Sequence, residues 1–234
     1  ETLVHPAAIT HPAPRHVLII GGGDGGSSEE LLKHPSIESL VLCELDAAVV
    51  DVATHHLTQI HRGALLHPKL EKHYADGFAY VQQSQRQFDL ILLDLTDPEA
   101  PDGSTLAATC MTPEFFQSCR QRLNPGGMLV MHLGSPVYHA NRFQQSLAKL
   151  AQHFAIVRPY TVFIPLYGAI WGMAIASVDA DPCQLNTTTV KQRLKQRGVE
   201  NLNYYNPAVH QALFALPNYV EALLPDSIKN QESS

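Results

Sequence analysis

The run His16-Val-Leu-Ile-Ile-Gly-Gly-Gly-Asp-Gly-Gly26 restricts this chain to very few folds. Val17 to Ile20 has the length and β-branching of a parallel strand buried on both faces. It empties into five glycines around one acid, Asp24, then into Ser27-Ser28-Glu29-Glu30 and an apolar Leu31-Leu32. Ser27 and Ser28 are candidate N-caps, and glutamates in a first turn complement the helix dipole. Strand, glycine turn and helix open a nucleotide-binding βαβ unit, in which glycines let a ligand approach the backbone. Gly21, Gly23 and Gly26 satisfy GxGxxG, a spacing shared by dehydrogenases and methyltransferases. Asp24 narrows the choice. A pyrophosphate at this helix start would face a carboxylate, against the anion-binding logic of helix N-termini. The loop therefore suits a ligand that is neutral or cationic at this point, unless Asp24 serves only as a local helix cap.

Further acids recur at expected strand ends. Leu40 to Glu44 reads as a second strand, and Glu44 lies 18 residues beyond Gly26. Such folds place a carboxylate there to accept both hydroxyls of a ribose; an ordinary strand-end acid is the alternative. Asp46 to Leu57 has helical apolar spacing. Leu70 to Tyr74 is a third strand, followed by Asp76-Gly77, which is either a rim pair that accepts from an adenine amino group or a plain turn. Phe88 to Leu93 is a fourth, buried strand running into Asp94-Leu-Thr-Asp97-Pro98. Carboxylates just past a central strand sit where open parallel sheets carry ligands, although Asp-Pro also opens turns. Glu99 to Met111 lacks apolar periodicity and is expected to be a mobile loop over the site.

Beyond that loop, helices are expected over Pro113–Leu123 and Asn141–His153, with a turn at 124–127 and a fifth strand over Met128–Leu133. Phe154–Ile164 and Trp171–Ser177 form a hairpin-like pair joined by Pro165-Leu-Tyr-Gly168, where Tyr167 either faces the pocket or packs. Thr187–Arg197 and Pro207–Leu224, broken at Pro217, read as peripheral helices. The alternation predicts one α/β domain over residues 16–224. Its fold is a Rossmann-like class I methyltransferase fold, a doubly wound, mostly parallel sheet with an antiparallel last strand. Residues 1–15, with Pro6, Pro12 and Pro14, read as an irregular arm, and residues 225–234 as a flexible tail.

At 234 residues and 45% apolar content the chain can bury a full core. Its net charge of −6 disfavours nucleic acid and anionic membrane and suits cationic ligands. No apolar run reaches the roughly 18 residues of a membrane span, and no signal peptide is visible. Cys43, Cys110, Cys119 and Cys183 show no CxxC or zinc-site spacing and read as reduced thiols of a cytoplasmic protein. His55, His56, His61 and His67 crowd one region but have no matching carboxylates, so they read as solvated surface side chains and no metal site is expected. The first residue is Glu1, as expected of a processed or trimmed product.

Six motifs in order resemble the polyamine aminopropyltransferases, the spermidine synthase family. They are the glycine loop from Leu18, Cys43-Glu-Leu-Asp46, Asp76-Gly77, Asp94-Leu-Thr-Asp-Pro98, Ile164-Pro-Leu-Tyr167 and Tyr205-Asn-Pro-Ala-Val-His210. The resemblance extends from about Glu1 to Leu223 and implies transfer of an aminopropyl group from decarboxylated S-adenosylmethionine, a co-substrate rather than a tightly bound cofactor. The acceptor would be a di- or polyamine, and methylthioadenosine would be released. It implies that Glu44 holds the ribose, that Asp76 and Gly77 contact the adenine, and that Pro101 lies near the nucleoside. Asp24 would sit near the aminopropyl amine and the polyamine. Asp94 would accept the proton, Asp97 would bind an amino group of the acceptor, and Tyr167 would line the pocket. A homodimer is a possible partner arrangement. The chain departs from the family in three places. Family members carry an N-terminal β domain whose final motif reads Tyr-His-Glu; residues 1–15 are expected to be its remnant, with Glu1 as the last residue of that motif. Asp-Leu-Thr-Asp-Pro replaces Asp-Ser-Ser-Asp-Pro, closer to thermospermine synthases. Glu99-Ala-Pro-Asp-Gly103 replaces Gly-Pro-Ala. The acceptor amine stays open on these grounds. Alternative readings are a methyltransferase using intact S-adenosylmethionine, whose extra carboxylate Asp24 and Asp94 would repel, and a non-catalytic polyamine- or nucleoside-binding homologue.

Overall fold

A computed structural model describes residues 1–95, 111–229 and 231. The strands are β1 (His16–Gly21), β2 (Ser39–Glu44), β3 (Leu70–Tyr74), β4 (Phe88–Asp94), β5 (Leu123–Gly134), β6 (Ile156–Ile164) and β7 (Ala169–Ser177). They form one sheet in the order β3-β2-β1-β4-β5-β7-β6. β1 to β5 pair in parallel, and β7 runs antiparallel to both β5 and β6. This is the doubly wound sheet read from the alternation. The order reverses between β1 and β4, so the carboxyl ends of these two neighbours border the crevice where such sheets bind ligands.

β1 is apolar throughout because it faces a core on each side. Val17 and Ile19 join one cluster, Leu18 and Ile20 the other, and all four are buried. Full burial of such a side chain contributes roughly 1.5–3 kcal/mol. Helices α1 (His5–Thr10), α2 (Gly26–Leu32), α3 (Ala47–His56), α4 (Thr58–His61) and α5 (Gly77–Gln83) precede β4 or connect the strands before it. After β4 come α6 (Pro113–Gln121), α7 (Ala140–Leu150), α8 (Thr187–Arg197), α9 (Pro207–Leu213), α10 (Asn218–Glu221) and α11 (Asp226–Lys229).

The N-terminal arm is not irregular. Residues 5–10 form a buried helix, and Pro6 lies in its first turn, where a missing N–H costs nothing. Arg193 and Arg197 of α8 donate to the carbonyls of Ala8, Ile9, Thr10, His11 and Pro12, which lie in and just beyond the last turn of α1. Glu1, its carboxylate accepting from the amides of Asn203, Tyr204 and Tyr205, ties the start of the arm to the chain before α9. The described part of the tail is docked as well. Ile228 of α11 is buried, and the Gln231 side chain accepts from the Val157 amide of β6. The expected turn at 124–127 is instead absorbed into β5, whose register with β4 shifts between Phe88 and Leu90. His61, expected on the surface, is buried, with its Nδ1 accepting from the Gly63 amide. Among the described residues no group of three His, Cys, Asp or Glu side chains is arranged to hold a metal, and no helix is long and apolar enough to cross a membrane.

Candidate active site

The glycine loop is stitched to the end of β4. The Gly22 amide donates to the Asp94 carbonyl at 2.8 Å. Gly21 and Gly22 have φ of +80° and +67°, the left-handed region that favours glycine. Space forbids a side chain as well. A Cβ on Gly21 would lie 2.3 Å from the Asp94 carbonyl oxygen, and one on Gly22 would lie 2.9 Å from Asp94 Oδ2. Gly23 faces the other neighbour: its Cβ would lie 2.9 Å from Val49 Cγ1 and 3.0 Å from Glu44 Oε2. The loop thus runs between two strand-end carboxylates, Asp94 on β4 and Glu44 on β2.

α2 begins at Gly26 with Gly25 as its N-cap residue, so neither Ser27 nor Ser28 caps it. The reason is local. Asp24, exposed at the lip of the loop, turns its Oδ1 back to accept from the Gly26 amide at 2.9 Å and sets the helix start one residue before Ser27. Ser27 is thereby carried into the first turn, where its hydroxyl donates to Asp94 Oδ2 at 2.6 Å.

Asp94 is the centre of the arrangement. Its side chain is 24% exposed, and its second oxygen, Oδ1, stands 3.6 Å from His132 Nε2 on β5. Burial alone pushes this carboxyl up, but the facing His132 imidazole and the Ser27 hydroxyl outweigh it and hold Asp94 below the usual aspartate value. His132 Nδ1 in turn accepts from the Trp171 indole N–H of β7 at 3.1 Å. The Tyr167 ring, half-exposed in the β6–β7 connection, lies 4.7 Å from that of Trp171. Asp76 is the N-cap of α5, accepting from the Ala79 amide at 2.8 Å through Oδ1. Gly77 presses on β1, since a Cβ there would meet Ile20 Cγ2 at 2.3 Å.

Of the residues singled out from sequence, Gly21, Gly23, Glu44 and Asp94 meet in direct contact around the loop. Asp76 and Gly77 stand at the end of the adjoining β3, and among the described residues Tyr167 is linked to Asp94 through Trp171 and His132. Asp97, Pro101, Cys110 and the expected mobile loop lie outside the described residues. Sequence reasoning missed Ser27 as a partner of Asp94, and missed His132 and Trp171 entirely. One signal was available for His132: it is the lone polar residue of the apolar run Met128–Leu133, near the carboxyl end of its strand.

A parallel sheet with one reversed strand, a glycine loop after β1 and acids at the ends of β2 and β4 define an α/β protein of the class I methyltransferase type. Comparisons with known proteins narrow this further. A family model for the spermine/spermidine synthase domain matches residues 1–192. A polyamine aminopropyltransferase of Nitrosomonas europaea is 45% identical over 226 residues, covering 97% of this chain and 68% of the relative. One from Pyrobaculum aerophilum is 36% identical, covering 93% and 74%. Among solved structures, a spermidine synthase in complex with the transition-state analogue AdoDATO superposes with a TM-score of 0.87 at 35% identity, covering 95% of this chain and 73% of its own. The spermidine synthase of Thermotoga maritima gives 0.85 at 35% identity, with coverage of 95% and 72%. The chain belongs to the spermine/spermidine synthase family.

Proposed function

We propose that this protein is a polyamine aminopropyltransferase. It moves the aminopropyl group of decarboxylated S-adenosylmethionine to a di- or polyamine and releases methylthioadenosine. The observation that carries the reading is Asp94: a carboxylate held ionised at the end of β4, in contact with the glycine loop. A solved spermidine synthase in complex with AdoDATO and curated relatives named for aminopropyl transfer support it.

The acceptor nitrogen attacks the carbon beside the sulfonium, the C–S bond breaks, and sulfur keeps the electron pair as a neutral thioether. The attacking amine must be neutral. An alkylamine with a pKa like that of lysine lies about three units above neutral pH, so deprotonation costs about 4 kcal/mol. Asp94 favours the neutral amine by accepting its N–H, and it receives the proton that the nitrogen sheds as the N–C bond forms. Glu44 takes the ribose hydroxyls, Asp76 and Gly77 border the adenine, and Asp24 and Tyr167 border the amine. Asp97 and Pro101 keep the amine- and nucleoside-binding roles that the family resemblance implies. Because the sulfonium loses its charge on reaction, acids serve the reaction best by contacting amines rather than sulfur. We assign the protein to the cytoplasm, with its nucleoside as a co-substrate.

Methylthioadenosine release with decarboxylated S-adenosylmethionine and a panel of diamines and polyamines tests the reading. Turnover with at least one amine is expected, together with weaker binding of intact S-adenosylmethionine in calorimetry. Tighter binding of the carboxylated nucleoside would instead indicate a methyltransferase, and binding without turnover on any amine would indicate a binding protein.

A further inference from the structure

Trp171 and His132 take no part in the displacement itself, yet they line up on Asp94. An indole N–H is a donor only, so at 3.1 Å His132 Nδ1 must present its lone pair. The ring proton of neutral His132 then sits on Nε2, the nitrogen facing Asp94 Oδ1 at 3.6 Å. That distance lies just beyond a hydrogen bond, and catalytic contacts of this kind tighten when substrate binds. Asp94 Oδ2 already has the Ser27 hydroxyl. Each carboxylate oxygen is therefore addressed by one donor from a different element, Ser27 on α2 and His132 on β5, while the main-chain oxygen of Asp94 is held by the Gly22 amide.

We propose that Trp171 fixes His132 as the Nε2–H tautomer, and that His132 acts as a positioning residue which holds the Asp94 carboxylate in its ionised, proton-accepting orientation. This rests on the reading of Asp94 as the proton acceptor. It also decides where the proton goes. His132 cannot take it on, because Nε2 already carries a proton and Nδ1 faces an N–H. The proton taken from the amine leaves from Asp94 itself, whose side chain is partly exposed. Tyr167, with its ring against Trp171, buttresses the far end of the chain. The groups facing Asp94 among the described residues are His132 from β5 and Ser27 from α2; Glu44 of β2 lies across Gly23.

The test has two arms. In the first, 15N NMR of histidine-labelled protein reads the tautomer of His132 directly, with or without turnover. An unprotonated Nδ1 is expected, and a protonated Nδ1 in the resting protein overturns the proposal even if aminopropyl transfer proves correct. In the second, kcat and KM are measured against pH for His132→Leu, His132→Gln and Trp171→Phe. His132→Leu is expected to lower kcat about tenfold with little change in nucleoside KM, and to move the acidic limb of the profile up by about one unit, a tenfold effect being about 1.4 kcal/mol. His132→Gln, which keeps an N–H donor, restores most of the loss. Trp171→Phe removes the donor to Nδ1, so the NMR arm should show a protonated-Nδ1 fraction that the wild type lacks. A His132→Leu profile that superimposes on the wild type, or a Gln variant as impaired as Leu, refutes the positioning role. If the Leu variant does not fold, the Gln and Phe variants and the NMR arm still decide.

Discussion

Replacing Asp94 by asparagine removes the proposed proton acceptor while leaving its surroundings nearly satisfied. Ser27 Oγ can both donate and accept, so the new amide can turn its NH2 to Ser27 and its oxygen to His132 Nε2–H. The fold therefore loses only the charge-assisted part of one bond, about 1 kcal/mol. Catalysis loses much more. Without an acceptor in reach, attack falls to the small neutral fraction of free amine, and general-base assistance is worth about 10²–10⁴-fold. We expect kcat to fall about a thousandfold at neutral pH, with nucleoside affinity within about threefold of wild type, since a tenfold change would need about 1.4 kcal/mol. The rate of the variant should rise about tenfold per pH unit toward the amine pKa, whereas the wild type, with Asp94 ionised at neutral pH, starts from a far higher rate. Methylthioadenosine release and calorimetric nucleoside binding read both quantities on one preparation. A variant with more than about a tenth of wild-type turnover would strip Asp94 of the proton-acceptor role, and the mechanism would fall with it.

Ser27→Ala removes the 2.6 Å donor from Asp94 Oδ2. Because the folded Asp94 pKa is depressed, its contribution to stability exists above the unfolded carboxylate value and is lost as pH falls through the folded one; denaturant titrations should show about 1–2 kcal/mol lost at pH 7 and a gap that closes in acid. Gly23→Ala puts a Cβ against Glu44 Oε2 and Val49 Cγ1; ribose-bearing ligands should bind at least about tenfold more weakly, with about 1–3 kcal/mol of stability lost to overpacking, and unchanged calorimetric affinity would contradict the placement of Glu44 at the ribose. His34, completely buried, has its pKa lowered to about 3 by burial and by the neighbouring His5. Thermal melts should therefore weaken steadily as pH drops below about 6.5, where the unfolded chain takes up a proton the fold refuses, by at most about 5 kcal/mol for 3.5 units; a flat melting temperature between pH 6.5 and pH 4.5 would refute the assignment.

β1, β2 and β4 were legible because they are buried on both faces and announce themselves as short apolar runs, and each differs by a residue or so at its ends; β3, a largely polar edge strand with no buried residue, still matches its expected bounds. What escaped were features set by contacts distant in sequence. α1 looks like proline-broken coil until Arg193 and Arg197, more than 180 residues away, hold its carbonyls. The start of β5 looks like an Asn-Pro-Gly-Gly turn until Leu123 pairs with Phe88 and the Asn124 side chain donates to Asp89 at 2.8 Å. The acids of the site were readable from their positions after strands. Their orientation was not, because Ser27 and His132 meet Asp94 from 67 and 38 residues away.

The same distant contacts separate two pH responses that a single activity profile would merge. Asp94 has a partner for each oxygen, so acid must fall below the usual carboxylate range before the acceptor is neutralised. His34 has the opposite environment. Its Nε2 shares a proton with His5 Nδ1 at 3.0 Å, and its Nδ1 finds no hydrogen-bond partner among the described residues, so a charge there is unsupported. His5 Nε2 faces Glu30 at 2.8 Å, yet burial still pulls His5 below the ordinary histidine value. These histidines join α1 to α2, the helix that carries Ser27 to Asp94. Mild acid therefore weakens the frame before it reaches the base. Between about pH 6.5 and the carboxylate range, initial rates should decline only as the amine protonates, while activity lost on prolonged incubation tracks unfolding at α1. A reversible initial-rate loss near pH 6 that exceeds amine protonation would require a titrating group at the site itself.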